Sequence, residues 1–182
     1  MIDNKGLCIF KTSLKDFLIN VDVERMIKFL KESNTGDVKD IFLQSDIADN
    51  NIKKDLDVVN HFVEDFCKNK YAQLVESEFV ATTWVREPEL IRWQQGTSLA
   101  EHIDGPERIA KPDITIGALV YLNDDYGGGE IYFSEYDILI KPKYGDLVIF
   151  PCHFLHEVKE VSKNDRYTIP LFYTFKCKEW IE

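Results

Sequence analysis

The sequence predicts a mainly β fold with helices in its N-terminal part, of the α+β class, and three observations support this prediction. Apolar residues recur at helical spacing before about residue 75. After residue 79 they form short β-branched and aromatic runs separated by turn signals. Aromatic residues make up 13% of the chain, which favours a β-rich interior over a helical bundle. The 182 residues suit a single domain, with helical support over about 1–75 and a β core over about 79–176.

Two amphipathic helices are predicted in the N-terminal part. The first begins after the N-cap candidate Asp22 and ends before the stop signal at 34–36. Its apolar stripe is formed by Val23, Met26, Ile27 and Leu30. The stripe of the second helix is formed by Ile52, Leu56, Val59, Val63 and Phe66. Charged residues fall off both stripes, as in helices that pack on another element.

Six β-strands are predicted in the rest of the chain. They cover Phe79–Val85, Ile114–Leu122, Gly129–Phe133, Asp137–Ile140, Asp146–Phe150 and Arg166–Phe175. Turn signals separate them at 123–129, 141–145 and 162–165. Strands at this spacing predict a sandwich, a jelly roll or a barrel, with the helices buttressing one sheet.

Net charge, apolar runs and cysteine content indicate which partners and which compartment to expect for this protein. With 32 acidic and 22 basic residues the net charge is −10, which argues against nucleic acid as a partner. No apolar run approaches the length of a membrane span, and the first residues do not have the pattern of a signal peptide. The four cysteines form no CxxC pair, which excludes a zinc ribbon and a thioredoxin-type motif. For a chain of this length without a signal-peptide pattern we expect reduced thiols and a cytoplasmic location.

Three residues form a candidate metal site. His102 and Asp104 are two apart, so on an extended segment their side chains point to the same face. His156 follows 52 residues after Asp104, just past the predicted strand that ends at Phe150. Two histidines and one carboxylate leave three positions of an octahedral metal open, which suits non-haem Fe(II). The His-x-Asp pair alone is weak evidence.

Arg166 makes the pattern more specific. It stands ten residues after His156 and opens a predicted strand, on which Thr168 shares its face. A guanidinium grips a carboxylate through two parallel hydrogen bonds, and a neighbouring hydroxyl adds a donor. The triad and Arg166 together predict a pocket for a dicarboxylate with one end on the metal and the other on the arginine.

Four segments, in the same order, resemble the 2-oxoglutarate- and Fe(II)-dependent oxygenases, in particular their prolyl 4-hydroxylase-like branch. Trp93–Asp104 is similar to the family's segment that leads into its His-x-Asp. Ala118–Phe133 is similar to its "YLN…GG" strand and turn, and Lys141–Phe150 to its "P.kGdl..F" segment. His156 to Thr168 resembles the segment with the distal histidine and arginine. His153 competes for the distal position, but the spacing to Arg166 favours His156.

The resemblance implies a double-stranded β-helix, the jelly-roll fold of the family, and a role for each matching residue. His102, Asp104 and His156 would bind Fe(II), and Arg166 would pair with the distal carboxylate of the co-substrate 2-oxoglutarate. Further co-substrate contacts would come from Tyr121, Thr168 and Trp93. Trp93 and Leu99 stand where relatives often carry tyrosine.

The resemblance also implies a reaction. O2 would oxidise 2-oxoglutarate to succinate and CO2 while an unactivated C–H of a second substrate is hydroxylated, with ascorbate as a reductant. That substrate would be a protein, a peptide or a small molecule, and the branch favours a prolyl residue. Specificity would come from loops at the barrel mouth, with Glu87–Glu89 and Gly105–Pro112 as candidates.

Two other functions use similar residues. A zinc hydrolase takes the same three ligands but has no need of Arg166. A non-catalytic jelly roll that binds a metal or another ligand is the alternative outside the enzymes. Release of succinate after addition of iron and 2-oxoglutarate separates the oxygenase from this alternative.

Overall fold

A computed structural model describes residues 8–33, 39–74, 78–81, 87–104 and 113–176. The elements of the N-terminal part are β1 (Phe10–Ser13), α1 (Lys15–Leu18), α2 (Val23–Glu32), β2 (Lys39–Leu43) and α3 (Asn50–Phe66). A π-helical turn, Cys67–Tyr71, joins α3 to the short α4 (Ala72–Leu74).

The two predicted amphipathic helices are present. Asp22 caps α2, because its carboxylate accepts a hydrogen bond of 2.9 Å from the backbone N–H of Arg25. Asp49 caps α3 in the same way through the backbone N–H of Asn51, at 2.8 Å. The buried residues of both helices are the predicted apolar ones, apart from Asn60.

The prediction of an entirely helical N-terminal part was wrong, since β1 and β2 belong to the main sheet. In β1, the residues Phe10 and Thr12 alternate with Lys11 and Ser13, and the partner of the strand is β10, far along the chain. A four-residue strand with three polar residues gives little periodicity to detect, and its pairing is not local.

The remaining strands build the β core. They are β3 (Glu78–Ala81), β4 (Glu89–Trp93), β5 (Leu99–His102), β6 (Asp113–Tyr121), β7 (Gly127–Gly128), β8 (Ile131–Phe133), β9 (Ile138–Ile140), β10 (Asp146–Pro151), β11 (His156–Val158), β12 (Val161–Lys163) and β13 (Arg166–Lys176). Five of the six predicted strands correspond to β6, β8, β9, β10 and β13 within a few residues. Of the sixth, Phe79–Val85, the part up to Ala81 lies in β3 and the rest lies outside the described residues.

Two antiparallel sheets form the jelly roll. The major sheet has the order β1-β10-β6-β13-β4-β2, with β3 also paired to β13. The minor sheet has the order β5-β11-β8-β9, and β12 pairs with β7 in a small ribbon. Phe133 of the minor sheet meets Phe150 of the major sheet edge to face, with their ring centroids 5.2 Å apart. The interior between the sheets is therefore aromatic, as the composition predicted.

The helices cover the other face of the major sheet. The Tyr173 hydroxyl of β13 donates a hydrogen bond to the side-chain oxygen of Asn60 on α3, at 2.9 Å, and both residues are buried. Buried apolar residues of α2 and α3 join those of the sheet in one hydrophobic core. In the part of the chain that the structure describes, no helix has the length and apolar character needed to cross a membrane.

Candidate metal centre

Three side chains converge where the two sheets face each other. His102 ends β5, His156 begins β11, and the two residues are directly opposite in the β5–β11 pair. Their ring centroids are 4.3 Å apart. Asp104 follows two residues after His102. One potential ligand atom from each of the three residues lies within 4.8 Å of the other two.

Asp104 lies between the two imidazoles. Its Oδ1 is 3.3 Å from Nε2 of His102, and its Oδ2 is 3.5 Å from Nε2 of His156. The backbone N–H of Asp104 donates to the carbonyl of Cys152, at 2.9 Å, which ties the end of β5 to the turn after β10. The carboxylate is therefore fixed by the backbone near both histidines.

Both histidines have Nε2 directed to this point. Nδ1 of His102 is 2.8 Å from the carbonyl of Ala100, and Nδ1 of His156 is 2.9 Å from the carbonyl of Phe154. Each carbonyl can only accept, so each Nδ1 carries a proton, and in the neutral imidazole Nε2 keeps its lone pair. That tautomer is the one that a metal requires.

The two histidines differ in their electrostatic surroundings. The hydrogen bond to Asp104 raises the pKa of His102 above its usual value, while burial opposes this shift. Burial lowers the pKa of His156, although the charge of Asp104 opposes this shift. A cation that replaces the protons would be held by the carboxylate and both Nε2 atoms.

Apolar groups surround the site. The His156 ring contacts the rings of Phe150 and Phe133, at centroid distances of 4.7 and 5.6 Å. Gly117 of β6 lies beside Phe150, and a Cβ added there would be 3.3 Å from that ring and 3.7 Å from Oδ2 of Asp104. The absence of a side chain at residue 117 therefore keeps space next to the carboxylate.

His153 lies away from this group. Its ring packs edge to face on Phe154, with a centroid distance of 5.1 Å, and it is not among the three converging residues. Within the described ranges, His102, Asp104 and His156 are the one set of three histidine, cysteine or acidic residues that is close enough to hold a metal ion.

Arg166, the first residue of β13, lies in the same cavity and is 1% exposed. Its Nε and Nη1 atoms are buried without a hydrogen-bond partner, and so is the hydroxyl of Tyr121. Unsatisfied buried donors are costly, and a charged one especially so. A carboxylate is the group that satisfies two guanidinium donors and a phenol together, so these residues fit the distal end of 2-oxoglutarate.

Tyr121 remains a donor at neutral pH. Burial raises its pKa, and the neighbouring Arg166 only partly offsets this shift. Thr168 lies directly opposite Tyr121 in the β6–β13 pair, so the hydroxyl and the phenol belong to the same region of the sheet. The structure thus places Arg166, Tyr121 and Thr168 together.

Trp93 completes this end of the cavity. Its indole N–H donates to the Thr168 hydroxyl, at 3.3 Å, and its ring centroid is 4.7 Å from Cζ of Arg166. Because the Thr168 oxygen accepts from the indole, its own proton is available to another acceptor.

One cavity joins both ends of the site. Its volume is about 90 Å³, and its lining includes the three converging residues together with Trp93, Arg166 and Thr168. Glu89, from the candidate loop Glu87–Glu89, also lines it, and so does Lys39, which sequence reasoning did not assign to the site. A lone lysine on a short strand has no pattern that separates it from a solvated surface charge.

The prediction that Glu87–Glu89 form a loop at the barrel mouth was wrong in part. Glu89 begins β4 and is buried in the cavity wall, because β4 continues the major sheet at this point. Glu87 accepts hydrogen bonds from the backbone N–H and the hydroxyl of Ser45, at 2.6 and 2.7 Å. The other candidate loop, Gly105–Pro112, lies outside the described residues.

Comparison with known proteins agrees with this geometry. Residues 88–174 match the family model described as the 2OG-Fe(II) oxygenase superfamily. This part of the chain is therefore similar to the members of that superfamily. The matched residues include every residue of the site except Lys39. The oxygenases of this superfamily use Fe(II), 2-oxoglutarate and O2.

The individual relatives are named as hydroxylases. The chain is 41% identical over 64 residues to human prolyl 3-hydroxylase 2, a match covering 31% of this chain and 9% of that protein. It spans less than two fifths of the length of the bacterial PKHD-type hydroxylases that it also matches.

Solved structures share the fold. A prolyl hydroxylase from Trichoplax adhaerens, in complex with a hypoxia inducible factor peptide, has a TM-score of 0.65 at 18% identity, covering 97% of this chain and 86% of that one. A Pseudomonas putida prolyl-4-hydroxylase has a TM-score of 0.63 at 13% identity, covering 94% of both chains. The double-stranded β-helix predicted from the resemblance is therefore confirmed.

Proposed function

We propose that this protein is a 2-oxoglutarate- and Fe(II)-dependent oxygenase that hydroxylates an unactivated C–H bond. One observation carries the proposal: a single cavity is lined by three convergent metal-ligand side chains and by Arg166, whose buried Nε and Nη1 donors have no hydrogen-bond partner. The combination of these two kinds of group suits a metal-chelating dicarboxylate.

Each residue has a defined task in this proposal. His102 and His156 would bind the metal through Nε2, and Asp104 would supply the anionic ligand. Arg166 and Tyr121 would bind the distal carboxylate, and Thr168, oriented by Trp93, would donate to the co-substrate. Phe133 and Phe150 would keep water from the reacting centre.

The bound iron would supply the redox chemistry, and the protein would supply orientation and charge balance. In the overall reaction O2 gives one oxygen atom to the substrate as hydroxyl and one to succinate, and 2-oxoglutarate loses CO2. Ascorbate would serve only to return oxidised iron to Fe(II).

A prolyl residue in a protein or peptide is the substrate class that we propose. The likeness to human prolyl 3-hydroxylase 2 and the fold shared with prolyl hydroxylases support it. We further propose that residues 1–182 form one oxygenase domain that acts in the cytoplasm. In the described part of the chain, Cys8, Cys67 and Cys152 are buried and not disulfide-bonded, which agrees with a reducing compartment.

Formation of succinate without the second substrate tests the proposal. The protein with Fe(II), ascorbate and 2-oxoglutarate should release succinate slowly, and the unreactive analogue N-oxalylglycine should block this release. The Asp104→Ala variant should show none, and zinc should support none because it has no redox chemistry. Calorimetry with the metal-loaded protein should show binding of 2-oxoglutarate. A loaded metal site with neither succinate nor binding would favour the non-catalytic binding module instead.

A further inference from the structure

The side chain of Asn123 holds the backbone on both sides of Arg166. Asn123 lies two residues after the end of β6. Its Nδ2 donates to the carbonyl of Asp165, at 2.8 Å, and its Oδ1 accepts from the backbone N–H of Tyr167, at 2.9 Å. Asp165 and Tyr167 are the neighbours of Arg166 in the chain, so one amide bridges the residue from which the guanidinium extends.

These two bonds extend the pairing of β13 beyond the end of β6. The strand β6 ends at Tyr121, but the N–H of the next residue, Leu122, still donates to the carbonyl of Tyr167, at 3.0 Å. In a regular antiparallel pair the N–H of Tyr167 would donate back to the carbonyl of Leu122. Here it donates to Oδ1 of Asn123, so a side chain takes the place of a peptide group next to Arg166.

The strand β4 holds the same segment from its other side. Trp93 of β4 is directly opposite Arg166. The carboxylate of Asp165 accepts hydrogen bonds from Nε of Arg92, at 2.8 Å, and from the backbone N–H of Gln95, at 3.1 Å. The backbone at Arg166 is therefore fixed on both sides, although β6 has ended before this point.

The guanidinium of Arg166 depends on this backbone for its position. Its Cζ is 4.7 Å from the centroid of the Trp93 ring and 5.2 Å from that of the Tyr121 ring. Contacts with ring faces attract the guanidinium but supply no directional hydrogen bond. In the described part of the chain, its Nε and Nη1 have no hydrogen-bond partner. Because two parallel hydrogen bonds to a carboxylate tolerate displacements of only about 0.5 Å, a shift of the backbone should cost affinity.

We propose that Asn123 is a positioning residue for the co-substrate: its amide fixes the backbone at Arg166, so that both donors of the arginine meet the distal carboxylate. This inference rests on the proposed function. Asn123 does not line the cavity, so it would act only through Arg166. Its effect should be confined to ligands with a distal carboxylate, and it should disappear when the arginine is absent.

The expected loss of affinity is specific to the dicarboxylate. Asn123→Ala removes both hydrogen bonds and should weaken 2-oxoglutarate binding about 5- to 30-fold, the size usual for residues coupled in one network. Binding of 2-oxopentanoate, which keeps the 2-oxo acid end but lacks the distal carboxylate, should change less than about 2-fold. The effect should be smaller than that of Arg166→Ala, because the charge of the arginine remains.

Calorimetry on the zinc-loaded protein tests the proposal without turnover. Dissociation constants for zinc, 2-oxoglutarate and 2-oxopentanoate are measured for the wild type, Asn123→Ala, Arg166→Ala and the double variant. An unchanged zinc affinity shows that the metal end of the site is intact. In the Arg166→Ala background, Asn123→Ala should change 2-oxoglutarate binding less than about 2-fold.

A second variant, Asn123→Gln, keeps the amide but moves it one methylene further from the backbone. It serves if Asn123→Ala does not fold, because its polar atoms can still find partners in the turn. It should show the same selective loss, with 2-oxoglutarate weakened about 3-fold or more and 2-oxopentanoate unchanged.

Asn164→Gly is the matched control. Nδ2 of Asn164 donates to the carbonyl of Asp125, at 2.8 Å, so it joins the same two turns, but this bond is not made to the residues next to Arg166. The φ of Asn164 is +53°, which glycine adopts readily. The variant should change the affinity for either ligand less than about 2-fold.

Four results overturn the inference. Unchanged 2-oxoglutarate binding by the Asn123 variants would show that the amide has no role, and equal weakening of both ligands would show a general effect on the structure. A loss in Asn164→Gly as large as that in Asn123→Ala would assign the effect to the packing of the turns. An undiminished effect of Asn123→Ala in the Arg166→Ala background would show that it does not act through the arginine.

Failure of the proposed function gives a different result. If 2-oxoglutarate binds Arg166→Ala as well as the wild type, the distal carboxylate site itself is wrong. If Arg166→Ala loses affinity for 2-oxoglutarate and Asn123→Ala does not, only the role of Asn123 is wrong.

Discussion

Gly129 stands beside Arg166 in a backbone conformation that side chains disfavour. Its φ is +65°, and a Cβ added there would lie 3.1 Å from Cδ of Arg166 and 3.3 Å from the Tyr126 ring. The residue therefore has two reasons to be glycine, one in its own torsion and one in the room it leaves for the guanidinium.

Gly129→Ala should destabilise the protein and weaken 2-oxoglutarate binding, because the methyl group must displace the stem of Arg166. We expect a loss of about 1–2 kcal/mol in the free energy of unfolding from the left-handed torsion, measured by urea denaturation. Gly96→Ala is the control, since Gly96 also has a left-handed φ, of +87°, but no atom within 4 Å of the added Cβ. Equal 2-oxoglutarate affinity in both variants would contradict the role of Gly129.

Arg166→Ala should weaken 2-oxoglutarate binding and leave the affinity for the metal nearly unchanged. Truncation of one partner of a buried charge pair costs about 2–5 kcal/mol, which corresponds to a loss of about 30- to several-thousand-fold. Arg166→Lys should recover part of this affinity, because it keeps the charge but not the paired hydrogen bonds. Calorimetry with zinc-loaded protein measures the affinities for both the metal and the co-substrate.

The site residues that were predicted from the sequence are those whose residue types and spacings are typical of a metal or carboxylate site. The His-x-Asp pair, His156 and the arginine that opens β13 have recognisable types and spacings, and the structure brings them together. Lys39 reaches the cavity only because β2 pairs with β4, a tertiary contact that no local pattern encodes.

At the scale of elements, helix α2 depends on its cap. Asp22→Ala should lower the free energy of unfolding by about 1 kcal/mol, because the Arg25 N–H loses its acceptor at the start of the helix. Asp22→Asn should stay within a few tenths of a kcal/mol of the wild type, since asparagine is an equally good cap. Urea unfolding of both variants measures the difference, and equal losses would assign the effect to the ion pair with Arg25 instead.

A buried hydrogen bond between Tyr173 and Asn60 contributes to the contact between α3 and β13. Tyr173→Phe should destabilise the protein by about 1–3 kcal/mol, because the side-chain oxygen of Asn60 then loses a donor in the core. Tyr132→Phe is the control, since the Tyr132 hydroxyl donates to the exposed residue Asp137. Thermal unfolding compares the two variants, and a larger loss in Tyr132→Phe would contradict this account.

Strands with β-branched and aromatic runs were predicted well. Strands that lack such a run, and that are recognised only from their pairing with a neighbouring strand, were predicted poorly. β6 and β13 are long apolar strands at the centre of the major sheet. β4 was missed because both of its faces are covered, and its burial therefore does not alternate from Glu89 to Ile91. β2 lies at the end of the sheet in the described part of the chain, and its residues are mixed in polarity.

For the whole molecule, the position of the cavity between the sheets links ligand binding to global stability. Zinc and 2-oxoglutarate together should raise the melting temperature, because the metal would bind side chains on or next to β5 and β11 of the minor sheet, the co-substrate would bind side chains of β6 and β13 of the major sheet, and only the folded state brings them together. At 100 times its dissociation constant, a ligand adds about 2.7 kcal/mol, which corresponds to roughly 5–10 °C for a chain of this size. The co-substrate part of this shift should vanish in Arg166→Ala, and a full shift in that variant would contradict the assigned site.

Because β1 pairs with β10, β1 can reach its native pairing only after β10 has formed. Phe10 lies opposite Ile149, so the partner of this strand is synthesised more than a hundred residues later. During synthesis the backbone groups of β1 have no native strand to pair with until most of the chain has emerged. Such distant pairing carries a large loop-closure cost, which makes folding slow compared with that of a helical protein of equal length. Until β10 has been synthesised, the unpaired backbone groups of β1 can pair with other chains, so rapid production of this protein carries a risk of aggregation.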